Sequence, residues 1–486
     1  MTSKNKTRTL LLTPNDNITF SVGTLCLVDY FFEKLGLDAV FSPLKAKGHD
    51  ISTLVRALVG CKLSESVSIS RAADWMNSPS VREWYGLAPV HRQTLYLALE
   101  RLGQYADIVM SGIQDALFST YDFPKTDVNM DWTSITLHGT AAELGAYGYS
   151  RDHRPDKHQV VVGVAELAGP VNMPVGMTVR AGNVNDQTHF GASYRQVVRV
   201  LRTGSLVIFD KGASSQANKD LVLSTGMHYL SSKKLNLSDD KRIASFWKDA
   251  PELVDEDKQI YCLVFVKPRS IDYLYYSATL YERQMESVRR RAYAMFLEAR
   301  ELQDAIDANR RPRKKYRCGP GGNCLITSFA TYQTMLSEMT DDEAYRYALS
   351  RCATGREGFF CLKSSVRLTG GEALATYRRK DSIEKIFHSL KNEIEVKPVR
   401  CWKKERQIGV LLIGFLAQLF VSLLRYEVPE TSHMSTKFIL QSLRNLTDTV
   451  MRGPKGRASH VYSNFDPVNM AILRHLGAMD GEKAIT

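Results

Sequence analysis

Two aspartates occupy positions from which a strand would present a carboxylate to a ligand. Asp131 lies in a run whose even positions, such as Trp132, are apolar, so the two-residue repeat of a strand sends its side chain to the opposite face. Asp210 directly follows LVIF, a run typical of a central strand buried on both sides. At the carboxyl end of such a strand, open α/β sheets bind ligands. The partner of Asp210 could be a metal ion, Lys211 or a helix N-terminus.

A third acid, Glu384, lies in the helical stretch YRRKDSIEKIFHSLKNEI. At about 100° per residue, Tyr377, Lys380, Glu384 and Lys391 fall within about 60° of one another, and apolar residues cover a neighbouring arc. This spacing predicts an acid flanked by bases beside an anchored face. Because solvated helices carry the same Glu–Lys pattern, geometry alone leaves a solubility role open.

The elements that must position these acids change character along the chain. Residues 1–120 are predicted to be helical, and their amphipathic runs SISRAADWMN and VHRQTLYLALERL would suit a helix-turn-helix-like DNA reader or any other helical pair. From about residue 127, DVNMDWTSITLHG, QVVVGVAEL and PVGMTVRAGN predict three antiparallel strands. A helix, the buried strand SLVIFDKG, a helix starting near Ser214 and the strand HYLSSKK follow. We therefore expect a mixed α/β core.

An interruption follows this core. Residues 235–371 combine strand-like runs with a long basic helix, and the α/β pattern resumes with a helix predicted over 372–395. The densest positive charge of the chain lies in this segment, at Arg289, Arg290, Arg313, Lys314, Lys315 and their basic neighbours. With nearby tyrosines, this charge suits a phosphate backbone and occasional base stacking, although a solvated basic helix has the same composition.

Composition favours a globular protein that meets a polyanion. The 486 residues contain 64 Lys+Arg and 52 Asp+Glu, a formal net charge of +12, which indicates nucleic acid without separating an enzyme from a basic structural protein. Eight cysteines without a Cys-x-x-Cys pair predict reduced thiols rather than disulfides or structural zinc. The start of the chain lacks a signal-peptide core. The uncharged run 408–424 favours a buried core helix over a membrane span.

The Glu384 stretch resembles the last-acid signature of the DDE transposases of the insertion-sequence-four superfamily: Tyr, two residues, Arg, three residues, Glu, six residues, Lys. Tyr377, Lys380, Glu384 and Lys391 stand at those intervals, with Lys380 replacing Arg, which keeps the charge and loses the bidentate fork. DWT around Asp131 is similar to the first-acid motif. GYSRDHRPDKHQVVVGVAE, AGNVNDQTHF, VIFDKGASSQAN and the apolar helix after CWKKERQ resemble the branch named for insertion sequence sixteen thirty-four.

This resemblance, which covers about residues 127–428, implies a ribonuclease-H-like mixed-sheet catalytic core. A helical N-terminal domain would precede the core, and a large insertion would come before the last catalytic helix. The implied organisation is a helical DNA-binding domain over 1–120, the two parts of the core over 121–234 and 372–428, the inserted subdomain over 235–371 and a C-terminal tail over 429–486.

The resemblance also implies a transposase that excises and inserts a mobile element by hydrolysis and strand transfer. Asp131, Asp210 and Glu384 would be the catalytic triad that binds Mg²⁺, with Mn²⁺ able to substitute. The implied DNA-contacting residues are Tyr377, Arg379, Lys380 and Lys391. The charge density of the interruption adds Arg289, Arg290, Arg313, Lys314 and Lys315 as DNA-contacting candidates. The partners would be double-stranded DNA with terminal inverted repeats, target DNA and a second copy in a synaptic homodimer. The expected location is the cytoplasm, at the nucleoid and away from any membrane.

Three alternatives stay open at the level of sequence. Asp127, four residues before Asp131, competes for the first-acid position, although the mid-strand place of Asp131 before Trp-Thr favours Asp131. A catalytically silent DNA-binding protein derived from a transposase would retain the same motifs. Another metal-dependent nuclease of this fold would cut DNA without strand transfer.

Overall fold

The computed structural model describes residues 17–45, 48–169, 172–308, 339–397, 399–452 and 458–478. The chain forms two compact units. The first consists of Met1–His228 together with Arg378–Thr486, and the second consists of Tyr229–Tyr377. The segment predicted to be inserted, 235–371, falls inside the second unit.

Helices build the described N-terminal part of the first unit. They are α1 (Gly23–Lys34), α2 (Asp38–Phe41), α3 (Ile51–Ser64), α4 (Ile69–Met76), α5 (Pro79–Tyr85), α6 (Arg92–Gln104) and α7 (Ala106–Thr120). Side-chain caps stabilise two of the starts: Asp50 accepts the N–H of Ser52 at α3, and Ser68 accepts that of Arg71 at α4. The two predicted amphipathic helices are α4 and α6, so their prediction is confirmed.

The sheet of the first unit contains the predicted three antiparallel strands and the buried fourth. After β1 (Asn17–Ser21), which belongs to another sheet, come β2 (Val128–Thr136), β3 (Gln159–Leu167), β4 (Met173–Ala181) and β5 (Leu206–Phe209). Their order is β4-β3-β2-β5, with β3 antiparallel to both neighbours and β5 parallel to β2. This arrangement is that of a ribonuclease-H-like core, and the predicted fold class is confirmed.

One face of β2 is anchored on α8 (Asp186–Val197), which lies between β4 and β5 in the chain. The Trp132 side chain is buried there: its Nε1 donates to Ser193 Oγ at 3.1 Å, and its ring packs against Phe190. Because side chains alternate along a strand, this burial leaves Asp131 and Thr133 on the other face. The helix predicted near Ser214 is α9 (Gln216–Ser224).

Residues between 228 and 378 form a second, antiparallel sheet region with its own helices. The elements are β6 (His228–Lys233), α10 (Leu237–Ser245), β7 (Glu252–Asp255), β8 (Ile260–Lys267), β9 (Ser270–Ser277), α11 (Ala278–Asp307), α12 (Asp341–Cys352), β10 (Phe359–Ser364) and α13 (Gly370–Arg378). The strands lie in the order β6-β10-β9-β8-β7. Phe246, which follows α10, packs on Leu274 and Cys361 of this sheet, so α10 covers one of its faces.

The chain then returns to the first unit. Its last elements are α14 (Asp381–His388), a π-helical turn over Ser389–Glu393, α15 (Lys404–Glu427), α16 (Thr436–Asn445), β11 (Thr447–Arg452), β12 (Ala458–Ser463) and α17 (Pro467–His475). A small sheet in the order β1-β11-β12 joins the two ends of the described chain. The single helix predicted over 372–395 was wrong, because the chain breaks between α13 and α14, where Lys380 turns toward Asp131.

The apolar helix α15 lies in the core of the first unit. It packs against α3, α6 and β4, and Gly409 allows a close approach, since a Cβ there would stand 2.1 Å from the Leu99 carbonyl oxygen of α6. By length and composition α15 could cross a membrane, but most of its apolar stretch is buried inside the protein. The predicted buried core helix is therefore confirmed.

Candidate active site

Strands β2 and β5 bring two of the three predicted acids to adjacent positions. The parallel register pairs Met130 with Phe209. Asp131 follows Met130 in β2, and Asp210 follows Phe209 at the end of β5. Their backbones therefore lie about 5 Å apart, the spacing of neighbouring strands. Both side chains are half-buried, and Asp210 Oδ1 accepts the Lys211 N–H at 2.7 Å.

A lysine supplies a positive charge at this pair. Lys380, immediately before α14, is 8% exposed, and its Nζ lies 3.1 Å from Asp131 Oδ2. Glu384 follows one turn later, so it lies on the same side of the helix as Lys380, and it is exposed. The helix itself packs against β2 and β3 through its apolar face. The structure thus has the arrangement predicted from the sequence, with Glu384 beside the apolar face that anchors the helix.

A buried glutamate connects this helix with the strands. Glu166 on β3 stands across from Asn129 of β2, is fully buried, and accepts hydrogen bonds from Asn129 Nδ2 at 3.0 Å and from Ser382 Oγ of α14. Its other oxygen, Oε2, has no hydrogen-bond partner in the described part of the chain. Burial raises the pKa of Glu166 to about 8, although both hydrogen bonds lower it in part. Glu166 therefore holds the start of α14 at the strand that carries Asp131.

The π-helical turn after α14 is held by a second set of internal contacts. Lys391 Nζ donates to Thr133 Oγ1 at 2.7 Å and to Asp152 Oδ1 at 2.9 Å, while Lys397 Nζ lies 3.6 Å from the other oxygen of Asp152. Burial lowers the pKa of Lys391, and the Asp152 carboxylate opposes that change. Because Thr133 shares a strand face with Asp131, the two lysines that bracket Glu384 both contact the same side of β2.

The loop after Asp210 packs closely against the start of α8. Arg151 Nη2 forms a salt bridge with Asp186 Oδ2 at 2.6 Å at the start of α8. Gly212 lies directly against this carboxylate, since a Cβ there would stand 2.8 Å from Asp186 Oδ2. The glycine is thus needed for the close approach of the Asp210 loop to α8.

Asp127, the rival for the first-acid position, lies at the opposite end of β5 from Asp210. Its Oδ1 accepts the Leu206 N–H at 2.7 Å, and its carbonyl oxygen accepts the Ala168 N–H. These bonds fix the start of β2 to its neighbouring strands. The placement gives Asp127 a structural task and leaves Asp131 as the acid beside Asp210.

The three predicted acids do not close into one metal-ligating group. Within the described residues, no three His, Cys, Asp or Glu side chains are arranged so that they could hold a metal ion. Asp131 and Asp210 are adjacent, and Glu384 lies on the adjoining helix with Lys380 at its base. The carboxylate pair, the helix and the lysine therefore define the candidate site.

The predicted DNA-contacting residues around Glu384 differ in exposure. Arg379 is exposed and Tyr377 is half-buried. Lys380 and Lys391 are both buried and contact Asp131 and Asp152, respectively. Of the four, Arg379 is the side chain most open to a phosphate.

The basic residues predicted in the second unit are described only in part. Arg289 and Arg290 are exposed on α11, with Glu282 at 3.6 Å from the first and Glu286 at 3.9 Å from the second. Such exposed pairs are weak and leave both guanidinium groups accessible. Arg313, Lys314 and Lys315 lie outside the described residues.

Glu166 and Asp152 carry no functional prediction from the sequence. Each had a signal: Glu166 is a charge inside the apolar run QVVVGVAEL, and Asp152 lies in SRDHRPDK between basic residues. A charge inside a buried strand requires a partner. That partner, Ser382, comes from a helix more than two hundred residues away, so the pairing could not be read from local sequence.

Comparisons with known proteins bear on the same residues. A family model described as a transposase DDE domain matches residues 122–420, a span that includes Asp131, Asp210 and Glu384. A solved structure described as a piggyBac transposase synaptic complex with hairpin DNA is similar to 87% of this chain and 79% of its own, with 8% sequence identity and a TM-score of 0.44. No curated protein sequence matches the chain.

Proposed function

The chain belongs to the transposase DDE domain family, and from this premise we propose that it cuts the ends of a mobile DNA element and joins them to a target. The substrates are double-stranded DNA with terminal inverted repeats and a target duplex. Two chains bring the two ends together, as a synaptic homodimer. The motifs quoted above favour the insertion-sequence-four superfamily and its branch named for insertion sequence sixteen thirty-four.

Asp131, Asp210 and Glu384 are the catalytic residues in this proposal. The observation that carries it is the parallel register of β2 and β5, which makes Asp131 and Asp210 neighbours beside the helix of Glu384. Asp131 and Asp210 come from separate strands, and no structural role in the described residues requires two carboxylates at neighbouring strand ends. Hard carboxylate oxygens suit Mg²⁺, which keeps several waters and binds phosphates.

Two of the three carboxylates that would bind divalent cations are already neighbours in this structure. Asp131 and Asp210 supply carboxylates at adjacent positions, and Glu384 would complete the set from α14. Bound Mg²⁺, or Mn²⁺ in its place, would activate the attacking hydroxyl and stabilise the leaving oxygen. The salt bridge from Lys380 to Asp131 places a positive charge beside that carboxylate before an ion and DNA are bound.

The other residues of the site position the strand. Arg379 contacts a phosphate of the cleaved strand, and Tyr377 is a further DNA-contacting residue. Lys380 and Lys391 set the position of Glu384 through Asp131 and Asp152, and Lys380 can turn to phosphate when an ion takes its place. The N-terminal helices, together with Arg289, Arg290 and the basic run at 313–315, bind the element ends. The place of action is the nucleoid in the cytoplasm.

A nicking and joining assay tests this function. The full chain is incubated with a duplex that carries the element end and its flank, with Mg²⁺ or with EDTA. We expect cleavage only with Mg²⁺, and loss of cleavage with retained DNA binding in Asp131→Ala, Asp210→Ala and Glu384→Ala. Asp220→Ala, an exposed aspartate on α9, is the matched control and should cut normally.

The outcomes separate the proposal from its rivals. A chain that shifts the DNA and never cuts it, with either metal, is the catalytically silent binder. A chain that cuts but never joins a pre-cleaved end to target DNA is a nuclease of the same fold. Normal Mg²⁺-dependent nicking by any one of the three acid variants contradicts the residue assignment.

A further inference from the structure

A group of charged side chains in the second unit is built around one buried carboxylate. Asp272 on β9 is fully buried, and its Oδ2 lies 2.5 Å from Lys267 Nζ, 3.2 Å from Arg242 Nη1 and 3.4 Å from Lys233 Nζ. The strand register places Lys363 of β10 directly opposite Asp272. These five residues, together with Asp239 of α10, are referred to as the Asp272 cluster.

All members of the Asp272 cluster point to one face of the sheet. Lys267 lies two residues from Phe265, which stands opposite Asp272, and Lys363 lies two residues from Cys361, which stands opposite Lys233. Residues two apart on a strand share a face. Arg242 and Asp239 reach the same face from α10, since Arg242 Nη1 contacts Asp272 at 3.2 Å and Asp239 at 3.6 Å.

The Asp272 cluster has more positive than negative charge. Four cations, Lys233, Arg242, Lys267 and Lys363, face two carboxylates, so the sum is +4 − 2 = +2. The side chains of the two acids are 2% and 0% exposed, whereas those of Lys233, Arg242 and Lys267 are 16%, 28% and 37% exposed. The negative charge is therefore inside, and the uncompensated positive charge lies toward solvent.

The cations of the Asp272 cluster are held in place before any ligand arrives. The Arg242 guanidinium stacks on the Phe265 ring, 4.4 Å from its centroid. Burial alone would raise the pKa of Asp272, but the hydrogen bond from Lys267 and the charges of Lys233 and Lys363 lower it, so the carboxylate stays ionised. A fixed guanidinium with ammonium groups beside it loses little freedom when it binds an anion.

We propose that the Asp272 cluster binds a phosphate of the DNA backbone. The inference rests on the proposed function, which supplies duplex DNA as the partner. Converging like charges repel, and an anion at the solvent side relieves that repulsion, as Arg and Lys do at phosphates throughout DNA-binding proteins. Such a contact carries no sequence information and fixes the position of the unit on the duplex.

DNA binding by the full chain, in EDTA so that no cutting occurs, tests this site. The probe is a duplex of arbitrary sequence, titrated at several salt concentrations. Lys267→Gln and Lys363→Gln should each weaken binding several-fold and reduce the slope of log K against log salt by about 0.9 for the lost phosphate contact. Lys258→Gln, an exposed lysine of the same unit, is the matched control and should leave affinity and slope unchanged.

Charge and folding are controlled separately. Lys267→Arg keeps the charge and should bind DNA as the unmodified chain does. Since Lys267 is ion-paired with buried Asp272, urea unfolding of Lys267→Gln is measured alongside, and Lys363→Gln carries the test if that variant is unstable. Unchanged affinity and salt slope in Lys363→Gln overturn the proposal.

The source of the phosphate is distinguished by competition. Inorganic phosphate should displace the duplex no better than chloride at the same ionic strength. Displacement well beyond that would assign the cluster to small phosphate anions and overturn the backbone contact. If the chain cuts DNA and the Lys variants bind normally, only this inference fails. If it never cuts DNA and the variants bind weakly, only the proposed function fails.

Discussion

Substitution of Glu166 by Gln should change how the stability of the first unit depends on pH. The carboxyl group is fully buried, joins Asn129 to Ser382, and leaves Oε2 without a partner among the described residues. Glutamine has the same shape, can accept the same hydrogen bonds at its carbonyl oxygen and has no charge. The variant therefore removes the titration and keeps the contacts.

The magnitude follows from the raised pKa. The pKa of Glu166 is about 8 in the folded chain, against an ordinary value of 4.5. A raised pKa means that the contribution to stability is complete below about pH 4.5 and is lost as the pH rises through 8. Because each pH unit up to the folded pKa costs slightly more than 1 kcal/mol, the free energy of unfolding should fall by about 3 kcal/mol between pH 6 and pH 9.

Urea unfolding at pH 6, 7.5 and 9 measures this loss. The difference in unfolding free energy between Glu166→Gln and the unmodified chain should grow by about 2–3 kcal/mol over that interval in favour of the variant. Glu430→Gln, at an exposed glutamate, controls for the loss of one negative charge. If the Glu166→Gln and unmodified chains respond to pH in parallel, burial does not hold this carboxyl protonated and the reasoning is refuted.

Two further substitutions test the packing around the site. Gly409→Ala places a Cβ against the Leu99 carbonyl oxygen, so α6 and α15 must separate, and urea unfolding should show a loss of stability of about 1–3 kcal/mol. The control Gly371→Ala, where a Cβ meets nothing within 4 Å, should lose far less stability. Equal losses in the two variants would contradict the close approach of the helices. Lys391→Met removes one of the cations beside the mostly buried Asp152 carboxylate, so the melting temperature should fall by an amount equivalent to about 3 kcal/mol of stability. An unchanged melting temperature would show that the Lys391–Asp152 ion pair does not stabilise the fold.

The strands around the site could be predicted because their signals are local. In β2 the apolar face alternates with Asp131 and Thr133, and β3 and β5 are apolar runs bounded by polar residues. The adjacency of Asp131 and Asp210 follows once β2 and β5 are taken as neighbouring parallel strands. That step came from the family resemblance, since strand pairing leaves no mark in either segment alone.

The break between α13 and α14 could not be predicted from its own residues. YRRKDSIEK has helical propensity throughout, and no Pro or Gly interrupts it. The interruption coincides with two tertiary contacts, from Lys380 to Asp131 and from Ser382 to Glu166. The pairing of β1 with β11 could not be predicted from local sequence either, because the paired residues are about 430 residues apart in the chain.

Binding of Mn²⁺ to the chain in complex with uncut end DNA, counted by electron paramagnetic resonance, tests most directly whether the three carboxylates share divalent cations. We expect Asp131→Asn, Asp210→Asn and Glu384→Gln each to reduce the number or the affinity of bound Mn²⁺ ions while the DNA remains bound. Unchanged Mn²⁺ binding in all three variants would contradict it.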